Sequence, residues 1–157
     1  MTLVGVTGGM AAGKSTALTC FQALGASVVD ADDVVHGLYA PRQEAYQAMV
    51  DRWGRGILNP DGTVNRAAVA QRVFGDDREL QWLNALVHPL AQRRIQQLAA
   101  GQTSAVFCCG VPLLFETGWE RTMTRTVAVW CDPQTQWRRL LERGWSEADI
   151  RARLRQQ

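Results

Sequence analysis

The chain has 157 residues, of which 46% are apolar, so it can bury a hydrophobic core and global disorder is excluded. Its formal net charge is only +2, which excludes a protein that depends on a strongly basic surface, and we expect no nucleic-acid partner. Of the 17 basic residues, 16 are arginines and one is a lysine, Lys14. A function that needs a side-chain ammonium group therefore has to use Lys14.

The spacing of the cysteines and the lengths of the apolar runs indicate the cellular location of the protein. The cysteines show no C-x-x-C spacing, which favours buried thiols in a reducing compartment. The longest apolar run, residues 105–115, is too short to cross a bilayer, and no charged leader precedes an apolar segment. We therefore expect a cytoplasmic protein with no membrane partner. The four cysteines are Cys20, Cys108, Cys109 and Cys131.

The first predicted elements are a strand, a glycine-rich turn, a helix and a second strand. Residues 3–7 are apolar and β-prone, and residues 14–24 repeat apolar side chains at helical spacing before Gly25. Residues 27–30 form the next short apolar run. This β-α-β order predicts a pair of parallel strands with ligand chemistry at their carboxyl ends.

Helical patterns fill the middle of the chain. Asn65 is placed to cap one helix, and His88-Pro89 predicts the end of another. Two further apolar runs, residues 106–110 and 126–130, predict strands that are covered on both faces.

We expect the six tryptophans to pack in the core and between helices rather than to stack on a nucleotide base.

An arginine-rich helical stretch ends the chain, with a helix start at Ser146-x-x-Asp149. Together these patterns predict an α/β fold with three layers and a parallel sheet, and the match of residues 8–15 to G-x-x-x-x-G-K-[ST] makes it one of the P-loop NTPase type. We expect a single domain over residues 1–157. Its core is predicted at residues 1–32 and 104–135, a helical insertion at residues 33–103, and a further small helical region at residues 136–157.

One motif carries the chemistry. The segment after the first strand fits G-x-x-x-x-G-K-[ST], and it lies between a buried strand and an amphipathic helix, where phosphate binding requires it. Its backbone N–H groups can surround phosphate oxygens, with Lys14 reaching the β- and γ-phosphates of ATP and the Ser15 hydroxyl binding Mg²⁺. The alternative is a glycine-rich turn with its lysine in solvent. The predicted phosphate-loop residues are Gly8, Gly9, Ala11, Ala12, Gly13, Lys14, Ser15 and Thr16.

The reaction class is narrowed by motifs that the sequence lacks. A GTPase needs an [NT]-K-x-D motif and hence a second lysine, which the chain does not have. The G-x-G-x-x-G spacing of a dinucleotide-binding fold and the signature of transport ATPases are also missing. We therefore expect phosphoryl transfer to a small acceptor, with arginines neutralising charge on the transferring group.

Carboxylates follow the second predicted strand in the series Asp30-Ala31-Asp32-Asp33. An acceptor hydroxyl needs a carboxylate that orients it and accepts its proton, and Asp32 is the candidate base. The alternative is that these acids cap a helix starting near Val34, which is the favoured interpretation for Asp33.

Taken in order, several motifs resemble the dephospho-CoA kinase family over nearly the whole chain. These are Thr7-Gly8-Gly9 with the P-loop, Asp30-Ala31-Asp32, Asp61-Gly62-x-x-Asn65-Arg66, Leu83-Asn84 with His88-Pro89, the segment from Val111 to Glu116, and Gln136-x-x-Arg139-x-x-x-Arg143. The resemblance implies transfer of the γ-phosphate of ATP to the 3′-hydroxyl of dephospho-CoA. Other interpretations are a nucleoside monophosphate kinase-like enzyme and a nucleotide-binding regulator without catalysis.

The resemblance also implies roles for single residues. It makes the insertion at residues 33–103 the acceptor-binding part and residues 136–157 a small helical lid. Asp32 would face the ribose 3′-hydroxyl, and Arg139 and Arg143 would lie in that lid over the nucleotide. Arg66, His88 and Glu116 would lie on the acceptor side, although His88 could simply end a helix and Glu116 could be a surface acid.

The chain departs from the family pattern in two places. Ala11 stands where the family usually has glycine, and alanine is compatible if its φ is negative. The family also continues through a final strand and helix, and this C-terminal segment is expected to be absent here.

Overall fold

A computed structural model of the chain describes residues 1–154. Residues 155–157 of the predicted lid, including Arg155, lie outside the described residues. The chain divides into two compact units, which are described separately. The first contains Met1–Asp30 together with the chain from Gln102 onward, and the second is Ala31–Gly101.

The first unit contains a four-stranded parallel sheet, which confirms the predicted α/β class. Its strands are β1 (Thr2–Gly8), β2 (Ser27–Asp30), β3 (Val106–Gly110) and β4 (Arg125–Val129), in the order β2-β3-β1-β4. Strand β1 pairs with β3 and with β4, and β2 pairs with β3, in parallel register throughout. Because all four strands run the same way, their carboxyl ends share one edge of the sheet.

In its described part the first unit has three helices, α1 (Lys14–Ala23), α6 (Pro133–Glu142) and α7 (Glu147–Leu154). Helix α1 buries Leu18 in a cluster with the apolar side chains of β1 and β3. Side-chain caps begin the other two helices, since Asp132 accepts from the Thr135 amide at 2.8 Å and Ser146 accepts from the Asp149 amide at 3.2 Å. The predicted helix start at Ser146 is therefore confirmed.

The second unit is helical, with α2 (Ala31–Leu38), α3 (Glu44–Trp53), α4 (Arg66–Val73) and α5 (Asp77–Ala100). Its core includes Met49 and Ile57, both fully buried. As predicted, Asn65 caps α4, and its side chain accepts from the Ala68 amide at 3.1 Å.

An ion-pair cluster lies on α3 and α5. Arg52 donates through Nε and Nη2 to both oxygens of Glu79, at 2.7 and 2.8 Å, and Trp53 Nε1 donates to Glu79 at 2.6 Å. The Arg52 guanidinium also lies 4.5 Å from the ring centroid of Trp82. We call these four residues the Glu79 cluster. It ties α3 to the first turn of α5.

One prediction about the sheet is confirmed and another is wrong. Strands β1 and β2 are parallel, as predicted, and β3 lies between them and pairs with both. Within residues 1–154, strand β4 lies at an edge of the sheet and is not covered on both faces, since Arg125, Thr126 and Ala128 are exposed. An apolar sequence therefore did not distinguish a central strand from an edge strand.

Two further predictions about packing are wrong. Helix α5 does not end at His88-Pro89 but runs through Pro89. Apolar residues are buried on both sides of this point, at Val87 and Leu90, and this packing outweighs the loss of one helical hydrogen bond at the proline. Among the tryptophans, Trp130 does not pack in the core, because it is 80% exposed at the end of β4.

Candidate functional site

The glycine-rich segment forms a tight loop between β1 and α1. Strand β1 ends at Gly8 and α1 begins at Lys14, with Gly13 before it at φ 112°, a conformation that favours glycine. Within the loop the Ala12 amide donates to the Gly9 carbonyl at 3.1 Å. A β-carbon on Gly8 would lie 2.6 Å from the Val129 carbonyl oxygen. The strand, the loop and the helix therefore stand in the order that the motif predicts.

Ala11 adopts the left-handed conformation at φ 55°. The negative φ under which alanine was expected to be compatible here is therefore not what the chain adopts. Its methyl group is buried in a cluster with Leu140 of α6 and Ile150 of α7. This burial offsets part of the cost, roughly 1–2 kcal/mol, of placing a residue with a β-carbon in that conformation.

Lys14 and Asp30 form an ion pair at the carboxyl edge of the sheet. Lys14 Nζ lies 2.9 Å from Asp30 Oδ2, and the two side chains are 15% and 24% exposed. A β-carbon on Gly110, the last residue of β3, would lie 3.2 Å from Asp30 Oδ2 and 3.4 Å from Lys14 Nζ. The pair therefore packs against bare backbone, and glycine at position 110 makes room for it.

Burial beside this ion pair affects a thiol of β3. It raises the pKa of Cys109 to about 12, and the negative charge of Asp30 acts in the same direction. The Cys109 side chain therefore remains a neutral thiol at physiological pH.

Two side chains of α6 donate hydrogen bonds to carbonyl groups of the loop. Arg139 Nη1 donates to the carbonyl oxygens of Ala11 and Ala12, at 3.1 and 3.3 Å. Gln136 Nε2 donates to the Met10 carbonyl at 2.8 Å. Arg143 ends α6 and is exposed. The structure thus brings Arg139 to the loop backbone, while its role over a nucleotide stays a prediction.

The other predicted residues of the first unit are accessible. Ser15 and Thr16 are exposed in the first turn of α1. Glu116 is exposed in the turn that follows β3. Ser15 therefore offers a hydroxyl oxygen, a ligand type that suits Mg²⁺, directly after Lys14.

The remaining predicted residues belong to the second unit. Asp32 and Asp33 are exposed in the first turn of α2, which begins at Ala31 directly after β2. The prediction that a helix starts near Val34, with Asp33 as its cap, is therefore wrong.

Arg66 and His88 also lie in the second unit. Arg66 is the exposed first residue of α4, and its charge partly opposes the rise that burial causes in the pKa of Tyr39. His88 lies within α5, where burial lowers its pKa.

Sequence reasoning missed two residues at the loop. Gln136 appeared only as one letter of a family motif, and Gly110 appeared only as the last residue of a predicted strand. Neither has a local sequence signal, because each acts on residues far away along the chain. Among residues 1–154, no helix is both long and apolar enough to span a membrane.

Comparison with known proteins identifies the family. The family model described as CoaE, dephospho-CoA kinase, matches residues 2–157. The chain belongs to the dephospho-CoA kinase family. A family relative from Symbiobacterium thermophilum, named dephospho-CoA kinase, is 37% identical over 98% of this chain. Another with the same name, from Mycolicibacterium paratuberculosis, is 40% identical over 98% of this chain.

The chain is shorter than these dephospho-CoA kinases. It spans 66% of the length of the Symbiobacterium protein and 38% of the length of the Mycolicibacterium protein. A solved structure, TT1252 from Thermus thermophilus, is similar with a TM-score of 0.84 and 29% identity, covering 99% of this chain and 80% of that one. The fold of the chain is thus that of a known structure over almost all of its residues.

Proposed function

We propose that the chain transfers the γ-phosphoryl group of ATP to the ribose 3′-hydroxyl of dephospho-CoA, giving coenzyme A and ADP. The observation that carries this proposal is the phosphate loop, with Lys14 at the start of α1, in a chain that a dephospho-CoA kinase family model matches over residues 2–157. Free buried thiols at Cys108 and Cys109 are in keeping with a cytoplasmic location.

ATP binding is assigned to the loop. Backbone N–H groups between Gly8 and Ser15 surround the phosphates, and the N-terminus of α1 adds partial positive charge. Lys14, now paired with Asp30 at 2.9 Å, binds the β- and γ-phosphates in the complex. Catalysis of this kind depends on positioning and on charge neutralisation.

Magnesium is assigned to the Ser15 hydroxyl together with the phosphate oxygens, since Mg²⁺ prefers oxygen ligands and commonly binds in company with phosphates. When bound, the ion neutralises charge on the β- and γ-phosphates. The exposed position of Ser15 beside Lys14 fits this assignment.

Asp32 is proposed as the base that orients the 3′-hydroxyl and accepts its proton. Arg139 and Arg143 would neutralise charge on the transferring group, as parts of the lid. Arg66, His88 and Glu116 are proposed to bind the acceptor. The basis of these roles is the family resemblance together with the exposure of Asp32, Arg66, Arg143 and Glu116.

A coupled assay that follows ADP formation tests the proposal, using Mg·ATP and dephospho-CoA with purified chain. Asp32→Asn should lower turnover by roughly 10²–10⁴-fold, because a positioned proton acceptor contributes that much to the rate. ADP affinity should remain unchanged. Asp33→Asn is the matched control, since Asp33 is the neighbouring exposed acid in the same helical turn, and it should keep most of the activity.

Two outcomes would overturn the proposal. Faster turnover with nucleoside monophosphates or shikimate than with dephospho-CoA would indicate a different small-molecule kinase. ADP binding without turnover of any acceptor would instead indicate a nucleotide-binding regulator.

A further inference from the structure

Three side chains donate hydrogen bonds to consecutive carbonyl groups of the phosphate loop. Gln136 Nε2 lies 2.8 Å from the Met10 carbonyl oxygen, and Arg139 Nη1 lies 3.1 and 3.3 Å from those of Ala11 and Ala12. Cys131 makes a longer contact, with its sulfur 3.9 Å from the Ala11 oxygen. All three donors come from the segment that follows β4. They are 120 or more residues away from the loop in sequence.

These bonds fix the directions of loop amides as well as carbonyls. A trans peptide group is planar, so its carbonyl and the N–H of the next residue point in opposite directions. Gln136, by holding the Met10 carbonyl outward, orients the Ala11 N–H the other way. Arg139 does the same for the Gly13 N–H through the Ala12 carbonyl. A phosphate loop binds through such inward N–H groups.

The loop needs this support because Ala11 stands in a left-handed conformation at φ 55°, which is unfavourable for a residue with a β-carbon. Apolar contacts with Leu140 and Ile150 hold the Ala11 methyl group, but they do not define the rotation of the flanking peptide groups. The Gln136 amide contacts the peptide group immediately before Ala11. It is therefore the donor best placed to fix that rotation.

We propose that Gln136 is a positioning residue for nucleotide binding, which orders the phosphate loop by holding the Met10–Ala11 peptide group in its binding orientation. This inference rests on the proposed function, because it assumes that the loop binds a nucleotide phosphate. It concerns binding and not the chemical step. Arg139 bonds the next two carbonyl groups of the loop, but its proposed role in catalysis makes it unsuitable for the test.

The test replaces Gln136 with methionine, which has similar length and helix propensity but no N–H donor. ADP affinity, measured by calorimetry, should fall by about 3- to 10-fold, which is the effect of losing one neutral hydrogen bond. In the kinase assay the KM for ATP should rise by a similar factor while kcat changes little. Gln136→Glu, which also removes the donor, should weaken ADP binding at least as much.

Gln134→Met is the matched control, since Gln134 is an exposed glutamine on the same helix, and it should leave ADP affinity unchanged. Hydrogen exchange provides a readout that needs no ligand. In nucleotide-free Gln136→Met, the amides of residues 11–13 should exchange faster than in the unaltered chain. Exchange in β1 should remain the same.

Results other than those expected would also decide whether Gln136 positions the loop. A lower Tm with unchanged ADP affinity and unchanged exchange in the loop would make Gln136 a purely structural contact and overturn the inference. A lower kcat with unchanged KM would overturn it as well. If the unaltered chain bound no ADP, the proposed function would fail, and the exchange measurement would still decide whether Gln136 orders the loop.

Discussion

Each of the two units contains a close ion pair, and the two pairs differ in what surrounds them. Lys14 and Asp30 form a single contact of 2.9 Å at the strand ends, against the bare backbone of Gly110. Arg52 and Glu79 form a two-fold contact, to which Trp53 adds a third hydrogen bond and Trp82 an aromatic face. Both pairs are partly exposed, so burial does not distinguish them.

The difference lies in how readily each cation can change partners. The Lys14 ammonium has three donors on a flexible stem, which suits a group that must bind phosphate. The Arg52 guanidinium is planar and meets the Glu79 carboxylate in a fixed, bidentate geometry. Lys14 can therefore exchange the Asp30 carboxylate for a phosphate group. The Arg52–Glu79 pair is instead suited to holding α3 and α5 together.

Replacing Lys14 with methionine should give the largest effect on ligand binding. ATP affinity should fall roughly 10- to 100-fold, because a hydrogen bond to a charged group contributes about 1.5–3 kcal/mol. Calorimetric titration with ATP measures this. Arg138→Met, which removes an exposed cation of the same unit, is the control and should change the affinity by less than about twofold. Equal losses of ATP affinity in both variants would show that Lys14 contributes only a nonspecific positive charge.

A methyl group at position 110 should have an intermediate effect on the same pair. In Gly110→Ala the new β-carbon would lie 2.7 Å from Leu18 Cδ1 and close to both charged groups. Stability should fall by about 1 kcal/mol, and ADP affinity should fall severalfold because the Lys14 ammonium is displaced. Urea unfolding and ADP titration measure the two effects.

The matched control for this variant is Gly37→Ala. Gly37 lies inside helix α2, and a β-carbon there would meet nothing within 4 Å. That variant should gain up to about 1 kcal/mol from reduced unfolded-state entropy, with no effect on ADP. Unchanged ADP affinity in Gly110→Ala would show that the glycine does not support the Lys14–Asp30 pair.

Glu79→Gln should change stability and its pH dependence without changing ligand binding. The hydrogen bonds from Arg52 and Trp53 lower the pKa of Glu79 from 4.5 to about 2. The charged carboxylate therefore stabilises the folded unit fully above about pH 4.5, and this contribution is lost as the pH falls toward 2. The variant should melt at a lower temperature at pH 7 and lose less stability on acidification.

Melting temperatures from pH 2 to 7, together with ADP affinity at pH 7, check this expectation. Glu44→Gln is the control, because Glu44 pairs with Arg93 at 3.8 Å with both side chains about two-thirds exposed, and it should have little effect. Identical acid profiles for Glu79→Gln and the unaltered chain would contradict the assigned role of the Glu79 cluster.

Local sequence patterns predicted the part of the site that is local in the chain. Strand β1, the loop and α1 follow one another within 23 residues, and each has a short-range cause: β-prone apolar residues, glycines and helical spacing. The cap at Asn65 and the helix start at Ser146 were found for the same reason. Such features depend on neighbours within about four residues.

The remainder depends on packing between distant segments. Nothing near Pro89 in the sequence shows that apolar contacts carry α5 through it, and nothing near Val129 shows that β4 lies at an edge. The bond from Gln136 to Met10 joins residues 126 positions apart. The sequence did not predict the left-handed conformation of Ala11, because the residues that contact its methyl group come from α6 and α7.

Because the sequence has a single lysine, a reagent specific for lysine acts only at the phosphate loop. A protease that cleaves only after lysine has one substrate bond in this sequence, between Lys14 and Ser15, where the loop meets α1. Cutting there requires the loop and the first turn of the helix to open, since a protease must bind its substrate as an extended strand. The rate of that one cut therefore counts openings of the loop directly, without any label, mutation or bound nucleotide.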